Sequence, residues 1–169
     1  MIFRRDDLVK IGVISDSHGN LTNLQDAVCK LDQLGVDAIF HLGDYVRDAK
    51  KIHVWFNRTI YSVKGNCDQG SSDGLNYAKI SFDNKIVYAT HGHLFNVKND
   101  LDALFYEASL KKANVVLFGH THHKLLEKKN GILLMNPGSL MGGRYSENPS
   151  YGIITINNNS VNGELFELS

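Results

Sequence analysis

The sequence predicts an α/β fold: a central mixed sheet, or two packed sheets, with helices on the outer faces. Three observations carry that expectation. Five short runs rich in β-branched and aromatic residues punctuate residues 10–118. Amphipathic helical segments fall between some of them. After residue 124 the pattern changes to hairpins.

In chain order, the five runs are Lys10–Ser15, Ala38–Leu42, Thr59–Val63, Lys85–Thr90 and Val115–Phe118. Each is too short for a helix. The first helix carries Leu21, Leu24, Val28, Leu31 and Leu34 at mixed three- and four-residue spacing. A shorter helix is read over Asp48–Phe56. A further helix carries Leu101, Leu104, Phe105 and Ala108. Asp100 and Asp102 in its first turn, with Lys111 and Lys112 in its last, complement the helix dipole. Leu125–Lys128 and Ile132–Met135 flank Lys129-Asn130-Gly131, an Asn-Gly hairpin signal. Tyr151–Ile156 and Val161–Leu168 read as a second hairpin. No internal repeat or linker interrupts the chain, so one domain spanning 1–169 is expected.

Composition narrows the classes. The 169 residues suit one domain with a full core, and 43% apolar and 21% charged residues are ordinary for a globular protein. Net charge is zero and pI is about 7.1, so no global basic field draws the chain to nucleic acid or membrane. No apolar run approaches the roughly 20 residues of a membrane-spanning helix. MIFRRDDLVK has no apolar stretch after its basic pair, so no signal peptide is expected. Two cysteines, Cys29 and Cys67, make no disulfide framework, and a cytoplasmic protein is the expectation.

The chemistry lies just after the five strands. Asp16 and His18 follow the first, Asp44 the second, Asn66 the third, His91 the fourth, and His120 and His122 the fifth. The carboxyl ends of strands are where open α/β sheets place their ligands. Alone, each residue has a plainer explanation: Asp16 or Asp44 as a helix cap, Asn66 as a turn residue, His120 and His122 as exposed loop histidines. Together, seven N and O donors are too many for one tetrahedral site and suit two metals with a bridging carboxylate. Imidazole, carboxylate and amide donors without thiolate favour Mn²⁺, Fe²⁺, Zn²⁺ or Ni²⁺. Gly43, Gly65 and Gly119 let backbone come close to the site. His41, inside a strand, reads as a packed or hydrogen-bonded residue, and His53 as a surface one. His93 and His123 stand near the donors and read as supporting or substrate-facing.

The set DSH, GD, GNCD, HGH and GHTH resembles the calcineurin-like metallophosphoesterase superfamily. Within it, GNCD, HGHLF, Lys98 and the NPGS segment Asn136–Ser139 look like the small bacterial and archaeal phosphodiesterases of the YfcE type. The resemblance covers Lys10 to about Leu168. It implies an αββα sandwich of two mixed β-sheets flanked by helices. It also implies two divalent metal ions, Mn²⁺ foremost, with Asp16, His18 and His122 on the first and Asn66, His91 and His120 on the second. Asp44 would bridge them, making Asp44, Asn66 and His91 central to catalysis by a metal-activated hydroxide. The implied substrate is a small phosphodiester, with Cys67 and His93 near it. NPGS would be structural support, and Lys98 and Arg144 either bind substrate phosphate or face solvent. Many relatives carry His after the GN pair as the presumed general acid; here Cys67 stands there, which favours esters with good leaving groups. A phosphomonoesterase on small metabolites is one alternative. Another is an interaction scaffold like the retromer subunit of this fold, whose metal site is degraded, whereas all seven positions here keep metal-binding residue types. Homo-oligomerisation stays open.

Overall fold

The computed structural model of the chain describes residues 8–142 and 147–169. Arg144 lies outside them. Among the described residues, ten strands form two five-stranded mixed sheets. The first contains β1 (Val9–Ile14), β2 (Ala38–His41), β3 (Thr59–Ser62), β9 (Ser150–Ile156) and β10 (Val161–Glu167), in the order β10-β9-β1-β2-β3. β1, β2 and β3 run parallel, and β9 and β10 antiparallel to their neighbours. The second contains β4 (Tyr77–Phe82), β5 (Lys85–Thr90), β6 (Val115–Leu117), β7 (Lys124–Lys129) and β8 (Ile132–Pro137), in the order β4-β5-β6-β8-β7. Here β5, β6 and β8 are parallel.

The period-two side-chain alternation of strands sorts the core into layers. Ile11, Val13, Phe40 and Leu42 of the first sheet meet Val87, Val115, Leu117 and Met135 of the second. The alternate residues Ile14 and Ile39 pack outward against Leu24, Val28 and Leu31 of α1 (Leu21–Gln33) and Ala49 and Ile52 of α2 (Val46–Ile52). On the opposite face, Tyr88, Val116 and Leu134 meet Leu104 and Ala108 of α3 (Asp102–Leu110). The result is the expected αββα sandwich. Leu31 and Leu104 are fully buried, and truncating either to Ala would cost about 2–5 kcal/mol.

Local chemistry explains the element ends. Asn20 Oδ1 accepts from the Asn23 N–H and starts α1. The β7–β8 hairpin turns at Asn130-Gly131, both at positive φ (48° and 80°), as the Asn-Gly signal requires. Three sequence expectations need correction. Leu34 is 43% exposed, because α1 ends at Gln33 and Leu34 is only its cap. The weak helix starts at Val46 rather than Asp48 and stops at Ile52. β4 was not anticipated, although Ala78, Ile80 and Phe82 alternate with exposed Tyr77, Lys79 and Ser81. That alternation and the two-residue turn Asp83-Asn84 are an ordinary hairpin signal. No helix among the described residues is long and apolar enough to cross a membrane.

Candidate metal centre

The seven candidate donors come from both sheets. Asp16, His18, Asp44 and Asn66 follow β1, β2 and β3, whereas His91, His120 and His122 follow β5 and β6. The site therefore sits where the strand ends of two packed sheets face each other. Asp16, His18, Asp44 and His122 present ligand atoms all within 4.8 Å of one another, close enough to hold a metal ion. On the other side of Asp44, His91 Nε2 lies 3.5 Å from Asp44 Oδ1 and 3.1 Å from Asn66 Oδ1. The His120 ring stands 5.1 Å from that of His91, centre to centre.

The backbone is bent to achieve this. Asp16, His18, Asp44, His120 and His122 all adopt left-handed φ, between 45° and 68°. Such conformations cost about 1–3 kcal/mol each in non-glycine residues and concentrate where function over-determines the geometry. Two glycines permit the crowding. A Cβ on Gly65 would fall onto Asp44 Oδ1, and one on Gly119 would fall onto Ser15 Oγ and lie 2.7 Å from Asp16 Oδ2.

Hydrogen bonds then lock the donors. His91 Nδ1 donates to the Leu42 carbonyl at 2.7 Å, which turns its Nε2 toward Asp44. A buried relay joins the first two loops. The Gly43 N–H donates to His41 Nδ1, His41 Nε2 donates to Ser17 Oγ, and Ser17 Oγ donates to Asp48 Oδ2 at 2.7 Å. Asp48 also accepts from the Gly19 N–H at 2.9 Å. Asp68 accepts from the N–H groups of Val46 and Gly65, each at 2.8 Å, and ties the Asp44 loop to the Asn66 loop. Asn136 donates to the Gly119 carbonyl and to Thr121 Oγ1, bracing the GHTH turn. Ser139 Oγ donates to the Asp16 carbonyl at 3.0 Å. NPGS is thus a brace, as expected, and His41 is a buried, hydrogen-bonded residue. Sequence reasoning assigned no role to Ser17, Asp48 or Asp68. The available signal was an acidic residue, Asp48, on the buried face of α2.

Charge is concentrated here. Asp16 Oδ1 is buried and accepts no hydrogen bond among the described residues, although the Nε2 atoms of His122, His18 and His91 stand 3.0, 3.8 and 3.9 Å away. Burial works against the charge on Asp16, but His122, His18 and His91 together hold its carboxyl well below the usual range. Asp16 lifts His18 above the ordinary imidazole value. Burial alone would lower His91, yet Asp44 and Asp16 outweigh it and raise it. His120 is pushed down to about 4 by burial and by the charges of His91 and Lys98. Burial and the Asp44 carboxylate push the exposed Cys67 thiol up to about 11, while the Cys67 N–H donates to Asp44 Oδ1 at 2.9 Å. His93 sits beside His91 and His120 with its Nδ1 buried and unpartnered. His53 is exposed and far from this chemistry in role, as read. Beside His120 and His122 opens a cleft of about 500 Å³, with Lys98 and His123 in its wall.

A cluster of carboxylates and imidazoles able to hold a metal ion, at the joined edges of an αββα sandwich, has the donors a metal-dependent phosphoesterase needs. The chain belongs to the calcineurin-like phosphoesterase superfamily, whose domain profile matches residues 9–159. It is 32% identical to the probable metallophosphoesterase YsnB of Bacillus subtilis, over 92% of this chain and 89% of that protein. It is 28% identical to phosphodiesterase MJ0936 of Methanocaldococcus jannaschii, over 79% and 86% of the two chains. Among solved structures, a predicted phosphoesterase from Streptococcus pneumoniae superposes with a TM-score of 0.80 at 27% identity, over 95% and 90% of the chains. The fold is shared with Vps29 of Entamoeba histolytica in complex with Zn²⁺, at a TM-score of 0.74 and 21% identity, over 94% and 99%.

Proposed function

We propose that this chain is a single-domain phosphodiesterase that works with two divalent cations, Mn²⁺ foremost. The observation that carries the reading is Asp16 Oδ1. An ionised oxygen buried without a hydrogen bond is costly unless a cation faces it. Hard oxygen donors mixed with imidazoles fit such a cation. Asp16, His18 and His122 would hold one ion and Asn66, His91 and His120 the other, with Asp44 between them. A pair of divalent cations there would supply a nucleophile at neutral pH and neutralise phosphoryl charge.

The protein's own groups do the rest. The Leu42 carbonyl keeps His91 in the tautomer that offers Nε2 to the site. The Gly43–His41–Ser17–Asp48 relay holds the Asp16 and Asp44 loops at fixed separation. His120, with its value near 4, is neutral and ready as a ligand. Lys98 faces the cleft and attracts the phosphoryl oxygens. Cys67 stays a thiol at neutral pH but is a poor proton donor to a departing alkoxide. Activated diesters, such as aryl phosphodiesters, are therefore the favoured substrates.

The Vps29 likeness keeps a scaffold reading in view, and its Zn²⁺ complex means that metal binding alone does not separate the two. Turnover does. Purified protein, with metal content measured, is assayed on aryl phosphodiester and aryl phosphomonoester, with Mn²⁺ and after chelation. Diester hydrolysis that vanishes on chelation is expected. Undiminished turnover in metal-free protein overturns the mechanism, preference for the monoester moves the assignment to a phosphomonoesterase, and no turnover on either ester favours the scaffold.

A further inference from the structure

The cleft beside His120 and His122 is far larger than a phosphate needs. At about 500 Å³ it falls within the roughly 300–1,000 Å³ of small-molecule sites. Part of its wall is apolar: Val97 and Leu101 come from the segment before α3, Phe118 and Leu125 from the ends of β6 and β7. Leu101, Phe118 and Leu125 belong to the core under α3, which gives that wall a rigid backing.

The charges of the cleft are unevenly available. His123 Nδ1 is 2.8 Å from Glu147 Oε1, and Lys124 Nζ pairs with Glu167. Both side chains are already matched. Lys98 makes no ion pair among the described residues and lines the same cleft as His120 and His122, so it stands within reach of the reactive end. Asp100 also lines the cleft and would repel a second anion. Among the described residues lining the cleft, one lysine is left unpaired, and it serves one phosphoryl group.

Resting on the phosphodiesterase reading, we infer that the cleft binds one ester group of the substrate, and that this group is uncharged and ring-sized with an apolar body. Leu101 and Leu125 are the residues that select it. The phosphoryl group lies between Lys98 and the His120–His122 end, and the ring covers the leucines. Polyphosphates and small polar esters are disfavoured, because Asp100 and the apolar wall offer them no partner. A planar aryl group and a nucleoside share this chemistry.

Product-like monoesters isolate the question, since each carries a single organic group. Binding of inorganic phosphate, glycerol 1-phosphate, phenyl phosphate and thymidine 5′-monophosphate to the Mn²⁺-loaded protein is measured by calorimetry. Phenyl phosphate is expected to bind about tenfold tighter than glycerol 1-phosphate, the scale set by burying most of one ring face. Thymidine monophosphate binding as tightly as phenyl phosphate points to a nucleoside source; weaker binding points to a simple aryl group. In Leu101→Asn and Leu125→Asn the preference should collapse toward unity, with inorganic phosphate bound within about twofold of wild type. Equal affinity for glycerol and phenyl phosphates in the wild-type protein overturns the inference without any variant having to fold. It does so even where Mn²⁺-dependent diester hydrolysis stands; loss of that hydrolysis would instead overturn the reading beneath it.

Discussion

His91 donates through Nδ1 to the carbonyl of Leu42 at 2.7 Å, and the same ring presents Nε2 to Asp44 Oδ1 at 3.5 Å. Residues from two sheets thereby set each other's orientation. Asp44→Asn and His91→Ala remove donors rather than core, so each should abolish diester hydrolysis with the fold retained. The loss should exceed the roughly 100-fold that outer partners of a metal site cost. Activity is measured beside circular dichroism, and a variant near wild-type activity removes that residue from the ligand set.

Two ions per chain are expected on metal loading, with Asp44 touching both. A metal-soaked crystal structure checks this directly. A single ion, or an Asp44 carboxylate turned away, would refute the bridging role.

Asp48 makes no hydrogen bond to a candidate ligand side chain among the described residues, yet it closes the relay through Ser17 and His41. Asp48→Asn should weaken Mn²⁺ affinity by about 10–100-fold, the usual cost of an outer-shell change. Calorimetric titration with the metal reads this separately from turnover. Unchanged affinity would show that the relay only packs.

Metal uptake should release protons near neutral pH. His18 and His91 are raised above the ordinary imidazole value by Asp16 and Asp44, and a cation must displace those protons. Affinity should therefore fall as pH drops, beginning above pH 6.5. His120 and Asp16 add nothing in this window, because both titrate well below it. Titrations in buffers of different ionisation enthalpy count the protons; no release at pH 7 contradicts the raised values.

Cys67, with its thiol near 11, should contribute little as an acid. The rate should rise steeply as leaving-group pKa falls, and Cys67→Ala should cost less than about twofold with an aryl diester. Cys67→His would raise turnover most on poor leaving groups, by up to about 100-fold where the imidazole reaches the departing oxygen. A large loss in Cys67→Ala on the best leaving group, with metal content preserved, would show that the thiol takes part in catalysis.

The sequence by itself determined the local elements and the donor types. The strands before Asp16, Asp44, Asn66, His91 and His120 were legible because β-branched runs and the glycines beside them are local signals. The Asn130-Gly131 turn was legible for the same reason. β4 carries the same kind of local alternation, although it lies on a sheet edge with one face in water. Only the tertiary structure decided that the donors come from two sheets, because Asp16 and His120 meet across 104 positions of chain. It also decided that Asp16 Oδ1 is left without a hydrogen bond and that Asp48 reaches Ser17 across 31 positions. Hydrogen-bond satisfaction and the matching of His123 and Lys124 by Glu147 and Glu167 depend on which distant groups face each other. No local pattern encodes that; the packing of the two sheets does.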